Sequence, residues 1–480
     1  GDAIPVVAVG DDDQSIYGWR GAKIENIQRF TQDFMGTQTV RLEQNYRSTK
    51  TILDAANGVI SHNAGRLGKD LWTDGEDGDP IKLYAGFNEQ DEARFIVEQI
   101  QSWTDEGNPR KSSAILYRSN AQSRVIEEAL IRVGLPYRIY GGQRFYERLE
   151  IRNALAYMRL IIGRGDDPAL ERIINTPTRG IGSKTVDDLR AIARENNVSM
   201  WQAIGLAQQN GLLGSRARSS LAGFAALINE LDSETVELPL EEMVEHVIHR
   251  TGLIEFHKAE KGERGQARVE NLEELVSAAK TFRAEDDSLS PLQQFLDSAA
   301  LDAGDSQADP YEDSVQMMTL HSAKGLEFPL VILAGLEENL FPHRMSVEEP
   351  GRLEEERRLA YVGITRAQQR LLITYAESRR LHGSETYNTP SRFVREIPAD
   401  LIEEVRLHGG LTRPLADRLQ QPVAASNDSG LSLGQRVTHP MFGEGMVLNI
   451  EGRGANARIE VNFAEGSKWL VLQYANLQAL

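Results

Sequence analysis

The sequence predicts an α/β protein built on a parallel sheet, split by an all-helical insert and followed by a small β-rich module. Three observations carry that prediction. Strand and helix patterns alternate between residues 81 and 148, the order that crossover helices impose on parallel strands. β patterns then vanish from about Phe145 to Asp309, where helical periodicity dominates, and the α/β alternation resumes at Val315. The stretch 431–480 holds short alternating strands punctuated by Gly and Asn, as in a small barrel.

In order, Pro5-Val-Val-Ala-Val9 reads as a strand ending in the polar loop Gly10-Asp-Asp-Asp-Gln-Ser-Ile-Tyr-Gly-Trp-Arg-Gly21. Loops after buried strands are where α/β proteins place ligand contacts. Gln14 suits water or phosphate sensing. Tyr17 and Trp19, followed by Arg20, suit base stacking, worth roughly 1–3 kcal/mol per base; filling a core is the alternative. Val40–Leu53 reads as a short strand, a polar loop and a helix, with Ser48 or Thr49 as the helix N-cap. That puts Arg47 beside a helix N-terminus, where anions are favoured, with Tyr46 able to cover a flat ring.

The alternating region follows as strand Ile81–Tyr84, helix Asp91–Trp103, strand Ser113–Tyr117, helix Ala121–Val133 and strand Tyr137–Tyr140. Inside the helical stretch, Asn175-Thr-Pro-Thr-Arg-Gly-Ile-Gly-Ser-Lys-Thr185 is a Gly-rich connection. Its N–H groups can approach a phosphate, with Arg179 and Lys184 alongside. Val315–Leu320 and Leu330–Ala334 read as strands joined by a loop carrying His321, Lys324 and Glu327. Glu354–Ala376 reads as a helix feeding a buried strand. Leu359, Val362, Gly363 and Arg366 form one helical stripe. A helical Gly costs about 1 kcal/mol against Ala, so something must approach Gly363 closely. Arg366 at the helix end either meets phosphate oxygens or caps the last turn. Gly- and Ser-rich residues 407–430 read as a linker.

The totals bound these readings. With 480 residues and 40% hydrophobic content the chain has material for roughly two to four domains. It has no apolar run of about 18 residues and no leader pattern at Gly1, so neither a membrane span nor secretion is expected. Absence of Cys excludes disulfides, thiolate zinc and cysteine nucleophiles, and fits a cytoplasmic location. A net charge of −18 opposes indiscriminate polyanion binding but not local patches. Residues 138–184 carry nine Arg/Lys against five Asp/Glu, either a nucleic-acid backbone surface or a solvated helical face.

Taken together, Gly10–Ala22, Gln44-Asn-Tyr-Arg-Ser-Thr49, Thr319-Leu-His-Ser-Ala-Lys-Gly-Leu-Glu-Phe328 and Arg357–Ala367 resemble the ordered motifs of superfamily 1A, UvrD-like DNA helicases. The resemblance covers essentially the whole chain. It implies an ATP- and Mg2+-dependent 3′→5′ DNA translocase of excision and mismatch repair. Residues 1–40 would be the tail of a first RecA-like motor domain (1A). Residues 41–144 and 313–406 would form the second (2A), 145–312 a helical subdomain (2B), and 431–480 a Tudor-like β-barrel.

The same resemblance implies site roles. Arg47 and Arg366 would contact the γ-phosphate and Gln14 would sense it. Tyr46 would stack on adenine, and Gly325 and Glu327 would line the nucleotide, Glu327 holding the ribose. Tyr17, Trp19, Arg20, His321 and Lys324 would follow single-stranded DNA, while Arg179, Gly180, Gly182 and Lys184 would touch duplex at a junction. Repair proteins, RNA polymerase through the barrel, and a second copy in a dimer would be partners. No metal ligand is expected in this chain.

One departure from the family pattern matters. The phosphate-cradling Gly-x-x-x-x-Gly-Lys-Ser/Thr loop does not occur; Gly182–Thr185 and Gly65–Asp70 have the wrong spacing. Asp91-Glu92 begins a helix rather than ending a buried strand, so the magnesium-holding acidic pair is missing too. The expectation is the C-terminal part of a helicase, inactive alone; the rival is an inactive module binding DNA or polymerase. A helicase–nuclease subunit is disfavoured because no carboxylate cluster follows Arg406.

Overall fold

A computed structural model describes residues 6–260, 262–286, 288–304, 312–349, 351–381 and 384–405, and within the last fifth 436–439, 442–451, 458–463, 466–471, 475 and 477–479. Two compact units divide at residues 414 and 415.

The first unit is organised on parallel strands β1 (Ile81–Gly86), β2 (Ser113–Tyr117), β3 (Tyr137–Ile139), β4 (Val315–Thr319), β5 (Phe328–Leu333) and β6 (Ala367–Ala376). A short antiparallel hairpin, β7 (Ser378–Leu381) and β8 (Ser384–Tyr387), precedes the last sheet strand, β9 (Ile402–Val405). The sheet order is β3-β4-β2-β5-β6-β1-β9, with every pairing parallel. Parallel strands are covered on both faces, so they read as unbroken apolar runs; β2 is buried at all its positions. Helices Lys50–Ile60 and Arg352–Ile364 cover one face through Ile52, Val59, Leu359 and Val362. Helices Glu89–Asp105 and Ser123–Arg132 cover the other through Phe95, Ile96, Ile126 and Leu130. Asn88 caps the former, its side chain accepting from the N–H groups of Gln90 and Asp91.

Between β3 and β4 the chain is helical, from Leu149–Ile162 to Pro291–Gly304, and has its own apolar core around Tyr157, Leu189, Phe224 and Leu272. The second unit contains an antiparallel sheet of β10 (Arg436–His439), β11 (Gly443–Glu451), β12 (Arg458–Phe463), β13 (Gly466–Val471) and β14 (Gln478–Ala479), ordered β13-β12-β11-β10-β14. The predicted linker 407–430 lies outside the described residues.

Two predicted strands do not form. Residues 6–9 and 40–42 join no ladder, and Val7, Val9, Val40 and Leu42 are at least four-fifths exposed. An apolar run becomes a strand only where another edge pairs with its backbone; residues 6–9 meet none among the described residues, and the segment after Val40 pairs only at Gln44, in an isolated parallel bridge to Trp72. Thr49 occupies the N-cap position expected for it but makes no capping bond, and the Ser48 hydroxyl points elsewhere, to the Ala367 carbonyl. Gly363 behaves as its cost implied. A Cβ there would lie 2.5 Å from Leu320 Cδ2 and 3.2 Å from Leu333 Cδ2.

Candidate nucleotide and nucleic-acid site

Arg366 ends the turn after helix Arg352–Ile364 and immediately precedes β6, so it stands at the amino edge of the sheet. It is 2% exposed. Its Nε donates to the Val362 carbonyl at 3.0 Å, Nη1 to Leu326 O at 2.9 Å and Nη2 to Thr365 Oγ1 at 3.0 Å. Arg366 therefore ties down its helix end, the second of the two roles weighed for it. Burial, and next the like charge of Arg47, lower its guanidinium to about 10. Arg47 is thus a neighbour, brought to the same edge by the turn before helix Lys50–Ile60. Arg47 Nε is paired with Glu327 Oε2, and Gln368 Nε2 donates to Glu327 Oε1 at 3.1 Å. Of the two guanidiniums only Arg47 pairs with Glu327; Arg366 feels that carboxylate's charge without bonding to it. Tyr46 stands beside them, 86% exposed, its hydroxyl donating to Gln44 Oε1 at 2.8 Å.

Glu327 closes a short connection from β4 to β5. Because the strands are parallel, residues 320–327 run from the carboxyl edge of the sheet to its amino edge. Gly325 has φ +90° with open space at its Cβ position, a left-handed turn that glycine makes cheaply. Lys324 Nζ donates to the Gln14 carbonyl at 2.7 Å and lies 5.1 Å from the Tyr17 ring centre; burial lowers its pKa. Tyr17 OH donates to His321 O at 3.3 Å, and Arg20 lies over the Tyr17 ring at 5.5 Å. Gln14 Nε2 donates to Asp11 Oδ2 at 2.6 Å. Tyr17 packs against the sheet core, the alternative weighed for it, with the two cations set over its ring. The Trp19 side chain lies outside the described residues.

At the carboxyl edge, burial and then Arg118 lower the His321 imidazole to about 4. Arg118 Nη2 donates to Glu356 Oε1 at 2.8 Å. Burial pushes the Glu356 carboxyl up, yet Arg118 and the His343 N–H outweigh it and hold the carboxyl below its usual range. The nearby Asp11, Asp12 and Asp13 carboxylates face one another, but Lys69, the Leu67 N–H and Arg66 engage them.

The Gly-rich connection in the helical region lies apart from these clusters. Gly180 has φ +74°, while Gly182 begins helix Ser183–Asn196 and Lys184 is exposed on its first turn. Arg179 turns inward instead. Its guanidinium donates to the carbonyls of Ile173, Pro177 and Thr251 at 3.0–3.4 Å and lies 5.6 Å from the Tyr157 ring. Others of the basic segment are also occupied: Arg144 and Arg148 are buried, and Arg159 and Arg164 pair with Asp166 and Asp232.

A family model described as the UvrD-like helicase C-terminal domain matches residues 40–378, which is most of the chain. The chain belongs to the UvrD-like helicase family. The UvrD/REP helicase N-terminal domain matches residues 2–35, so the Gly10–Ala22 motif of this UvrD-like chain falls in one domain match and the other three motifs in the other. DNA helicase II of Escherichia coli (strain K12) is 56% identical over 483 residues, covering all of this chain and 67% of that protein. DNA helicase II of Haemophilus influenzae is 54% identical, covering 98% and 66%. ATP-dependent DNA helicase PcrA of Staphylococcus epidermidis is 40% identical, covering 97% and 65%. The UvrD-like chain therefore spans about two thirds of the length of these relatives.

Sequence reasoning did not single out Arg118 or Gln368, and named Ser48 only as a candidate helix N-cap. Arg118 carried a usable signal, since it follows a fully buried parallel strand at the carboxyl end. Gln368 and Ser48 matter through contacts to residues about 40 and 320 positions away, which no local pattern encodes.

Proposed function

We propose that this chain is the C-terminal portion of an ATP-dependent 3′→5′ DNA helicase and translocase of DNA repair, supplying two arginines to the nucleotide and a set of single-strand contacts. The observation that carries the reading is the convergence of Arg47, Arg366 and Glu327 at one edge of the sheet beside an exposed Tyr46. Two cations against one carboxylate fit the phosphates of a nucleotide, and Tyr46 offers a face for the base. ATP, when bound, supplies the phosphoryl group whose transfer drives the cycle. Arg47 and Arg366 stabilise charge developing on the phosphate oxygens, Glu327 holds Arg47 and the ribose, and Gln14 senses the phosphate. The chain lacks a phosphate-cradling loop, and the described acidic cluster is already engaged by Arg66, Lys69 and the Leu67 N–H, so on this reading the cradle and Mg2+ ligands come from another segment. Tyr17, Trp19, Arg20, His321 and Lys324 follow the single strand, and Gly180, Gly182 and Lys184 meet duplex DNA; Arg179 shapes that loop rather than reaching the DNA itself. The labels 2A and 2B, repair proteins, dimerisation, and polymerase contact by a Tudor-like C-terminal unit rest on the family resemblance alone.

The test uses the chain by itself and a chimera preceded by the part of the Escherichia coli relative that it does not match. The chain alone should show no ATP hydrolysis stimulated by single-stranded DNA; the chimera should. In the chimera, Arg47→Ala or Arg366→Ala should lower the rate by about 10³–10⁵, with single-strand affinity within about twofold. Steady turnover by the chain alone, or loss of DNA binding in the arginine variants, refutes the assignment.

A further inference from the structure

Arg47 and Arg366 are 319 positions apart in sequence, as are the residues that follow them, yet those followers are joined directly. The Ser48 hydroxyl, in a residue 5% exposed, donates to the Ala367 carbonyl at 2.6 Å. One residue further, Thr49 N–H donates to the Gln368 carbonyl at 3.1 Å. Residues 47–49 therefore run beside residues 366–368 and are bonded to them at two successive positions. On the β1 side this stretch of β6 has no strand partner, while on the β5 side Phe328 pairs with Ala367 and its N–H donates to the Arg366 carbonyl at 2.9 Å. β1 meets β6 only from Leu372 onward, through the pair Lys82 and Leu372. On the β5 side the register shifts between Phe328 and Leu330, and the intervening Pro329 has no N–H to give. The loop before helix Lys50–Ile60 supplies the donors to the Ala367 and Gln368 carbonyls. Its own shape is set by Asn45, whose Oδ1 accepts from the N–H groups of Arg47 and Ser48 at 2.8 and 2.9 Å. Of the two cross-links, the main-chain bond at Thr49 is open to any residue except proline. The side-chain bond needs a hydroxyl at position 48.

We propose that Ser48 is a positioning residue that sets the separation and register of the two arginines through the Ala367 carbonyl. The proposal rests on the arginine reading given above and deepens it. Removing the hydroxyl leaves the Ala367 carbonyl without this donor and releases Arg47, on a partly exposed loop, from its alignment with the buried and rigid Arg366. A small displacement of one charge-stabilising group lowers the chemical step far more than it lowers ground-state binding.

The experiment uses the ATPase chimera described above. Ser48→Ala should lower kcat for DNA-stimulated ATP hydrolysis by roughly ten- to a hundredfold, with KM for ATP and single-strand affinity within about twofold. Ser48→Thr, which keeps the hydroxyl, should recover most of the rate. In an Arg47→Ala background, Ser48→Ala should have no further effect on kcat, because the residue acts through Arg47. If Ser48→Ala does not fold, Ser48→Cys, similar in size but a weak donor, is expected to show the same kcat loss. An unchanged kcat in Ser48→Ala or its Cys substitute, or an equal loss with and without Arg47, overturns the proposal. If instead Arg47→Ala itself leaves kcat unchanged, the arginine assignment fails and Ser48 with it, an outcome distinct from failure at Ser48 alone.

Discussion

Gly363→Ala should destabilise helix Arg352–Ile364, although the change replaces a poor helix former with the best one. Intrinsic propensity alone predicts a gain of about 1 kcal/mol. Against it stands the new methyl, 2.5 Å from Leu320 Cδ2 and 3.2 Å from Leu333 Cδ2. The first distance is over 1 Å inside the roughly 3.5–4.0 Å optimum for carbon pairs. Leu320 and Leu333 are each 1% exposed and belong to one packed cluster, so neither has space to retreat. Overpacking of this kind costs about 1–3 kcal/mol, and two blocked directions place it in the upper half of that range. The net expectation is a loss of about 1–2 kcal/mol, or a factor of about 5–30 in local opening. Gly205 supplies the control. It lies within helix Met200–Gln209, exposed, with nothing within 4 Å of its Cβ position. Gly205→Ala should keep the propensity gain and slow opening of its helix. Hydrogen exchange followed by mass spectrometry reads both helices peptide by peptide. If Gly363→Ala raises protection as Gly205→Ala does, close approach is not why glycine stands there.

Two further outcomes separate structural from binding roles. Lys184→Ala should weaken duplex DNA binding, reduce its salt slope by about one ion and leave the thermal midpoint unchanged. Arg179→Ala should lower stability by about 1–3 kcal/mol, because three carbonyls lose a charged donor; a melting scan and a salt titration of both variants decide. His321 titrates near 4 when folded, against 6.5 unfolded, because burial and Arg118 oppose its charge. The unfolded chain therefore gains the proton first, and stability present above pH 6.5 is lost as pH falls towards 4, by up to roughly 3 kcal/mol. Urea midpoints of wild type minus His321→Asn across that window should show the slope; parallel profiles contradict it.

The sheet was legible because its strands are buried on both faces and need no context to stand out: Ser113–Tyr117 has the bounds read from sequence. Helix Arg352–Ile364 was legible for the same reason, its apolar stripe being independent of what it meets. Position 363 announced a close neighbour without saying which. Failures came where structure depends on a distant edge. Val6 to Val9 has the composition of a strand but no ladder, and hairpin β7–β8 has ladder bonds but too few apolar residues to announce itself. The site divided along the same line. Arg47, Glu327 and Arg366 were each visible as charged residues beside helix or strand ends. Gln368 has no local signature, and Ser48 showed only that of a helix cap, not of its bond to Ala367. Arg179 looked like a phosphate contact because a Gly-rich loop and an Arg coincide in sequence, whereas nearby carbonyls needed its donors.

A net charge of −18 and the anion site proposed for Arg47 and Arg366 are compatible because ions screen the former from the latter. At physiological salt the Debye length is about 8 Å, so a phosphate reaching the amino edge of β5 and β6 responds to Arg47, Arg366 and Glu327, not to acidic helices elsewhere. Locally the balance is positive, with two guanidiniums against one carboxylate. The loss of proton affinity at Arg366, to which Arg47 contributes, marks the strain of holding two like charges in a half-dry edge. The three acidic side chains of the Gly10–Gly21 loop are engaged by Arg66, Lys69 and the Leu67 N–H, yet Asp11 still acts on Arg366 and offsets part of the surplus. On that proposal the charge offered to an anion is set by which residues are already paired, and Glu327, which pairs Arg47, lies 280 positions away in sequence.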